Sequence, residues 1–246
     1  MGRPGLLEVR RGRVSLRYEP NALSREEALG FASLAARGIR AVERMAGKTG
    51  RARLHFEVRD AGHISTARGR NIFLPAQRVR THAAPYLHEI AHALLPCRHG
   101  PAWFSEGLAC YVESAVSERD GGYDSRLFTS GGNRGVDADA RRWLAEARGR
   151  AVLPFVGRRG MPRQIVEDRQ NVAAPFYVLS HSLVAFLAER AGFGALVQVA
   201  RARAFAAAVR RATGKTCAAW RAEWLLGLKA GGGDGESITQ KAKNSR

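Results

Sequence analysis

The stretch His88-Glu89-Ile90-Ala91-His92 decides how this chain is read, with Trp103-Phe104-Ser105-Glu106-Gly107-Leu108-Ala109 close behind it. On a helix, residues four apart lie nearly above one another, so His88 and His92 project from one face. Two imidazoles so placed can bind a single Zn²⁺. Glu89, next to the first, can hold the proton of a metal-bound water. The pattern points to zinc-dependent hydrolysis, with a peptide bond as the expected target.

The flanking residues place this pattern inside a helix. Ala83 to Leu95 is predicted helical, with Leu87, Ile90, Ala91, Leu94 and Leu95 covering the side away from the metal. Pro85 suits a first turn, where a missing N–H costs little. Pro96 disfavours helix at Leu95 and so ends it there. A catalytic zinc usually has three protein ligands and one open position. Glu106 is the leading third ligand. Pro101 starts a second predicted helix, reaching Val116, whose apolar face is Trp103, Leu108, Val112 and Val116 with Tyr111 flanking. A short turn between two helices makes them antiparallel neighbours, which turns Glu106 towards the imidazoles. His99 is the rival. A three-histidine site needs HExxHxxGxxH. Here His99 falls one residue too late, and Leu95 stands where the glycine belongs. His99 therefore reads as a loop histidine at the cleft's edge.

The segment HEIAHALL at 88–95, followed by PAWFSEGLACYVES at 101–114, resembles the gluzincin branch of the zincin metallopeptidases. Within that branch it is similar to compact peptidase MA-like proteins related to the aminopeptidase N catalytic domain. The resemblance spans about residues 50 to 228 and is strongest over 86–114. It implies His88, His92 and Glu106 as zinc ligands and Glu89 as general base. Phe176-Tyr177-Val178-Leu179-Ser180, followed by Leu183, Phe186 and Leu187, is similar to the family's tyrosine-bearing helix. The resemblance thus implies that the Tyr177 hydroxyl stabilises an oxyanion. His181 lies one turn on from Tyr177, so both are expected to point into the cleft. One departure bears on substrate. No GxMEN-like segment precedes the zinc helix, so exopeptidase activity is not implied. Gly69 to Pro75 stands there instead and reads as the edge strand beside the cleft. Arg68, Arg70 and a loop at 117–135 are the expected contributors to specificity.

The chain as a whole sets bounds. Its 246 residues suit one domain, or one domain in two lobes. It is 45% hydrophobic, with no apolar run of membrane-spanning length. Met1 to Pro20 lacks an apolar signal core, so the compartment is read as cytoplasmic only by default. Cys97, Cys110 and Cys217 are odd in number and form no CxxC, which favours a reducing setting. Cys110 reads as a small buried hydrophobe. The net charge of +18, from 40 basic and 22 acidic residues, attracts anionic surfaces, nucleic acid among them. The basic residues are scattered, however, in groups such as Arg10, Arg11 and Arg13, Arg141 and Arg142, and Arg210 and Arg211. No nucleic-acid motif accompanies them. The alternative function is a relict zincin-fold module whose basic surface binds an anionic partner. Glu89 argues against it, since a structural metal site needs no base.

Period-2 alternation marks short strands at Val14, Leu16 and Tyr18, at Leu54 to Val58, and at Asn71 to Leu74. Asn21 or Ser24 caps a helix from Arg25 to Ala46. A mobile loop is expected from Ser117 to Gly135, then a helix from Val136 to Arg148. An irregular stretch follows from Leu153 to Asp168, then helices at about 175–190, 194–212 and 216–228. The expected class is α+β and zincin-like. A small mixed N-terminal sheet leads into the zinc helix within a lobe at about 1–116. A helical lobe at about 136–228 closes the cleft, and a tail at 229–246 is expected to be disordered.

Overall fold

Two short alternating segments open the fold as a hairpin. β1 (Leu7–Arg11) pairs antiparallel with β2 (Val14–Tyr18). The computed structural model of the chain describes residues 5–47, 50–60, 64–120, 132–158, 160–161 and 172–231. The helix α1 (Arg25–Met45) follows, capped by Ser24 in a full capping box with Glu27. Ser24, not Asn21, is the cap because only its side chain reaches the Glu27 N–H, at 3.1 Å.

The sheet continues with β3 (Leu54–Arg59), β4 (Thr66–Arg68) and β5 (Asn71–Pro75), in the order β1-β2-β3-β5-β4. β2, β3 and β5 run parallel to one another, while β1 runs antiparallel to β2 and β4 antiparallel to β5, so the sheet is mixed. This corrects one expectation. Asn71 to Pro75 is an interior strand, and the edge is β4. The segment Thr66-Ala67-Arg68 carries no alternation of apolar side chains, so it gave no strand signal. Its pairing with β5 is what makes it a strand. Val14, Leu16, Tyr18, Leu54, Phe56, Val58, Ile72 and Leu74 are buried along the three inner strands. Phe31 of α1 meets Phe56 and Tyr86 edge-on, with centroids 6.0 and 5.9 Å away.

After the short α2 (Ala76–Arg80), α3 (Tyr86–Leu94) carries the two histidines, and α4 (Ala102–Asp120) follows across the Leu95–Pro101 turn. α3 begins three residues later than expected, after Pro85. α4 runs past Ser117, so the start of the expected loop is helical. α5 (Gly132–Ala145) begins before its other end, and residues 121–131 lie outside the described residues. α6 (Ala147–Val152) and a 3₁₀ turn (Leu153–Phe155) follow, and residues 162–171 of the expected irregular stretch lie outside the described residues.

The last helices are α7 (Ala173–Ala191), α8 (Phe193–Arg201), α9 (Phe205–Thr213) and α10 (Cys217–Ala230). The single helix expected over 194–212 is two. Ala202 is extended and Ala204, with ψ at 79°, is not helical either, without glycine or proline to force the break. The break lets Phe205 pack against Phe104 and Trp103, with centroids 5.0 and 6.3 Å away, so tertiary burial outweighs the helical propensity of the alanines. Lys229 and Ala230 belong to α10, and residues 232–246 of the expected tail lie outside the described residues. No single helix among the described residues is long and apolar enough to cross a membrane.

α7 is the buried axis of the helical part and packs extensively on α4. The contact is backbone-close at Gly107, where an added Cβ would sit 2.4 Å from the Ser180 carbonyl oxygen. Gly107→Ala must therefore push two core helices apart. We expect a loss of about 1–3 kcal/mol in urea unfolding, with a lower midpoint and unchanged slope. Gly135→Ala, on α5 with open space around it, should leave the midpoint within about 0.5 kcal/mol or raise it.

Candidate metal centre and cleft

Two helices supply the site. His88 and His92 lie one turn apart on α3, and Glu106 lies on α4. The early part of α3 meets the later part of α4, and its end meets the start of α4, as an antiparallel pair requires. His88 reaches Glu106, Cys110 and Glu113, while His92 reaches Ser105 and Glu106.

Three donor atoms converge. His88 Nε2 and His92 Nε2 are 3.0 Å apart, and they lie 3.1 and 3.2 Å from Glu106 Oε2. A tetrahedral zinc with bonds near 2.0–2.1 Å would separate its ligand atoms by about 3.3–3.4 Å. The triangle therefore fits one face of such a site, and its two-nitrogen, one-oxygen donor set suits zinc. A second buried group, His88, Cys110 and Glu113, also lies close enough to share a cation. It sits behind His88, with Cys110 Sγ 3.7 Å and Glu113 Oε2 3.9 Å from Nδ1. Neither Cys110 nor Glu113 lines the cleft, whereas all three members of the first group do. Their position suits an acceptor for the His88 Nδ1–H, the usual partner of a metal-binding imidazole. His99 is exposed on its turn and belongs to neither group.

The triangle opens on a cleft of about 910 Å³. Its walls include Glu89, Ser105 and Tyr177, residues Ile64–Ala67 of the edge-strand region, and Leu94–Arg98 of the turn after α3. Glu89 is 5% exposed, and burial raises its pKa against the lowering effect of His88 and His92. The Ala67 backbone N–H bonds to it, which ties β4 to the HExxH helix. The Tyr177 ring centre lies 5.9 Å from that of His88, and its hydroxyl donates to Glu106. Burial first, then Glu106, pushes the Tyr177 hydroxyl well above the ordinary phenol range, so it stays protonated.

The structure places Tyr177 on the cleft wall but not His181. His181 is fully buried, and its Nε2–H donates to Asn133 Oδ1 at 2.5 Å. Burial, and then His88, lowers its pKa to about 3, so it stays neutral. The i,i+4 relation to Tyr177 holds along α7, but α5 covers the face on which His181 projects, through Asn133. Asn133 in turn donates to the Tyr111 carbonyl at 3.1 Å. Sequence reasoning missed this arrangement because Asn133 is 48 positions from His181.

No protein-family model matches the chain. No curated protein matches it. Among solved structures it is similar to an M1 zinc metallopeptidase from Deinococcus radiodurans, at 18% identity and a TM-score of 0.45, over 92% of this chain and 50% of that one. A mutant form of that enzyme gives 18% identity and a TM-score of 0.49, over 89% and 51%. A two-domain M1 zinc metallopeptidase mutant bound to L-arginine gives 18% and 0.44, over 88% and 47%. The chain spans about half the length of these structures.

The triangle's electrostatics make a prediction. Burial lowers the His92 pKa, but the charge and hydrogen bond of Glu106, helped by Glu89, outweigh it and raise the value to about 8. Burial likewise opposes ionisation of Glu106, but His92 and His88 hold it well below the usual carboxylate range. A cation entering the triangle must displace the His92 proton. Affinity for Zn²⁺ should therefore rise with pH, by about tenfold per unit at most, and level off above about 8. Calorimetry in buffers of different ionisation heat counts the released proton. The sign for the metal-free fold is opposite. The folded His92 pKa exceeds its ordinary 6.5, so its stabilising contribution is complete below 6.5 and is lost as pH rises through about 8.

Proposed function

We propose that this chain is a zincin-type zinc metallopeptidase that hydrolyses peptide bonds. One observation carries the reading. Two imidazole nitrogens and a carboxylate oxygen stand 3.0–3.2 Å apart on the wall of a cleft that also holds Glu89. His88, His92 and Glu106 would hold the zinc. When bound, zinc supplies Lewis acidity, polarising a carbonyl and lowering the pKa of water.

The chain's own groups do the rest. Glu89 takes the proton of the attacking water and passes it to the leaving amine. Its burial favours this, because a raised pKa brings a carboxylate closer to the operating pH. Tyr177 donates from its hydroxyl to the oxygen on which negative charge develops. Its donation to Glu106 places the hydroxyl beside the three donors. A peptide is favoured over other amides by β4. Among the described residues this strand is at the sheet's edge and lines the cleft, and an extended peptide can add alongside an edge strand.

Glu89→Gln should retain zinc by elemental analysis and lose hydrolysis of a mixed peptide library by at least about 10²-fold, the range for a general base. Tyr177→Phe should lower kcat by about 10²-fold or more, with KM changed far less, as for loss of an oxyanion donor. A zinc-loaded parent that cleaves no member of the library would overturn the reading.

A further inference from the structure

The cleft is charged in a one-sided way. Among the described residues three carboxylates line it: Glu43, Glu89 and Glu106. Glu89 and Glu106 belong to the histidine cluster. Glu43 is already paired, since Arg13 NH2 lies 2.6 Å from its Oε2 and the Gly50 N–H donates to its Oε1 at 2.7 Å. Among the described residues two arginines also line the cleft, Arg70 and Arg98. Neither has a carboxylate or hydrogen-bonding partner for its guanidinium among the described residues. Both are exposed.

Both sit in turns that follow elements of the site. Arg70 sits in the turn between β4 and β5, where its carbonyl accepts from the His55 N–H at 2.9 Å. Arg98 sits in the turn directly after α3, next to half-buried Cys97. The same cleft is also lined by apolar residues, among them Val42, Ala46, Leu54, Leu94 and Leu95. A peptide lying along this part of the cleft meets two guanidinium groups and, among the described residues, no unpaired carboxylate outside the histidine cluster to balance them. An acidic side chain is attracted there, and a lysine or arginine is repelled.

We propose that Arg70 and Arg98 are specificity-determining residues that select peptides with acidic side chains close to the scissile bond. The inference rests on the peptidase reading for the word "scissile" but on charge and position for the preference. An exposed ion pair changes affinity by about fivefold at most, so two give a graded preference and not an absolute one.

The test uses the full chain carrying Glu89→Gln, so that peptide is bound but not consumed. The probes are fluorescein-labelled peptides alike in sequence except for Glu, Gln or Lys on both sides of a central Ala-Leu bond. Anisotropy should rank them Glu, Gln, Lys, with the Glu peptide bound about five- to tenfold tighter than the Gln peptide. High salt should narrow the gap. Adding Arg70→Glu and Arg98→Glu should reverse the order, whereas Arg210→Gln on α9 should preserve it. If the reversed pair does not fold, Arg70→Gln with Arg98→Gln should abolish the ranking. Equal affinity for the three peptides, no binding of any, or a ranking indifferent to both arginines overturns the proposal. So does displacement of the Glu peptide by a short oligonucleotide at lower concentration than by unlabelled peptide, which would assign the arginines to nucleic acid. Hydrolysis of the same peptides by the parent separates the two readings. Cleavage without a charge preference removes only this inference. Arginine-dependent binding without cleavage removes only the peptidase.

Discussion

The antiparallel register of α3 against α4 is the constraint on which the rest of the site depends. A shift of one residue along α4 would rotate Glu106 by about 100° and carry it off the face that meets His88 and His92. The register is held on both sides. α1 backs α3 closely at Gly38, where a Cβ would lie 2.9 Å from both Tyr86 and Leu87. α7 backs α4 at Gly107, and this same approach brings Tyr177 to the three donors. Packing at two glycines thus sets a geometry that matters to a few tenths of an ångström.

That geometry concentrates ionisable groups where burial is costly. Glu89, Glu113 and His88 are nearly inaccessible, and their neighbours answer for them. Each imidazole has two faces of use. The Nε2 atoms point at one another and at Glu106. The Nδ1 of His88 faces Cys110 and Glu113, and that of His92 faces Ser105 at 3.4 Å. Such mutual dependence makes the cluster a poor source of stability and a good source of perturbed proton affinity, the usual pairing at sites that do chemistry. The stability comes from elsewhere: the apolar faces of β2, β3 and β5, and the helical core around Phe104, Phe176 and Trp224.

Several elements were readable because their signals are local. Ser24 with Glu27 announces the start of α1, and Pro96 announces the end of α3 within a residue. Alternation at Leu54, Phe56 and Val58 announces β3. Elements without a local signal are not readable in this way. β4 exists through its pairing with Asn71–Phe73, and the break between α8 and α9 exists because Phe205 is drawn to Trp103 and Phe104. His181 was misplaced for a related reason. Helical spacing shows which residues share a face, but not which neighbouring element will cover part of that face.

The four-residue spacing of His88 and His92, and the adjacency of Glu89, follow from the sequence alone, because 3.6 residues per turn is a property of the backbone. Only tertiary structure could bring Glu106 within 3.2 Å of both imidazoles. It also put Tyr177 and not His181 on the cleft wall, and Arg70 and Arg98 on one cavity. These are relations between separate elements. Side-chain packing fixes their distances and orientations, and no periodicity within a single segment encodes them.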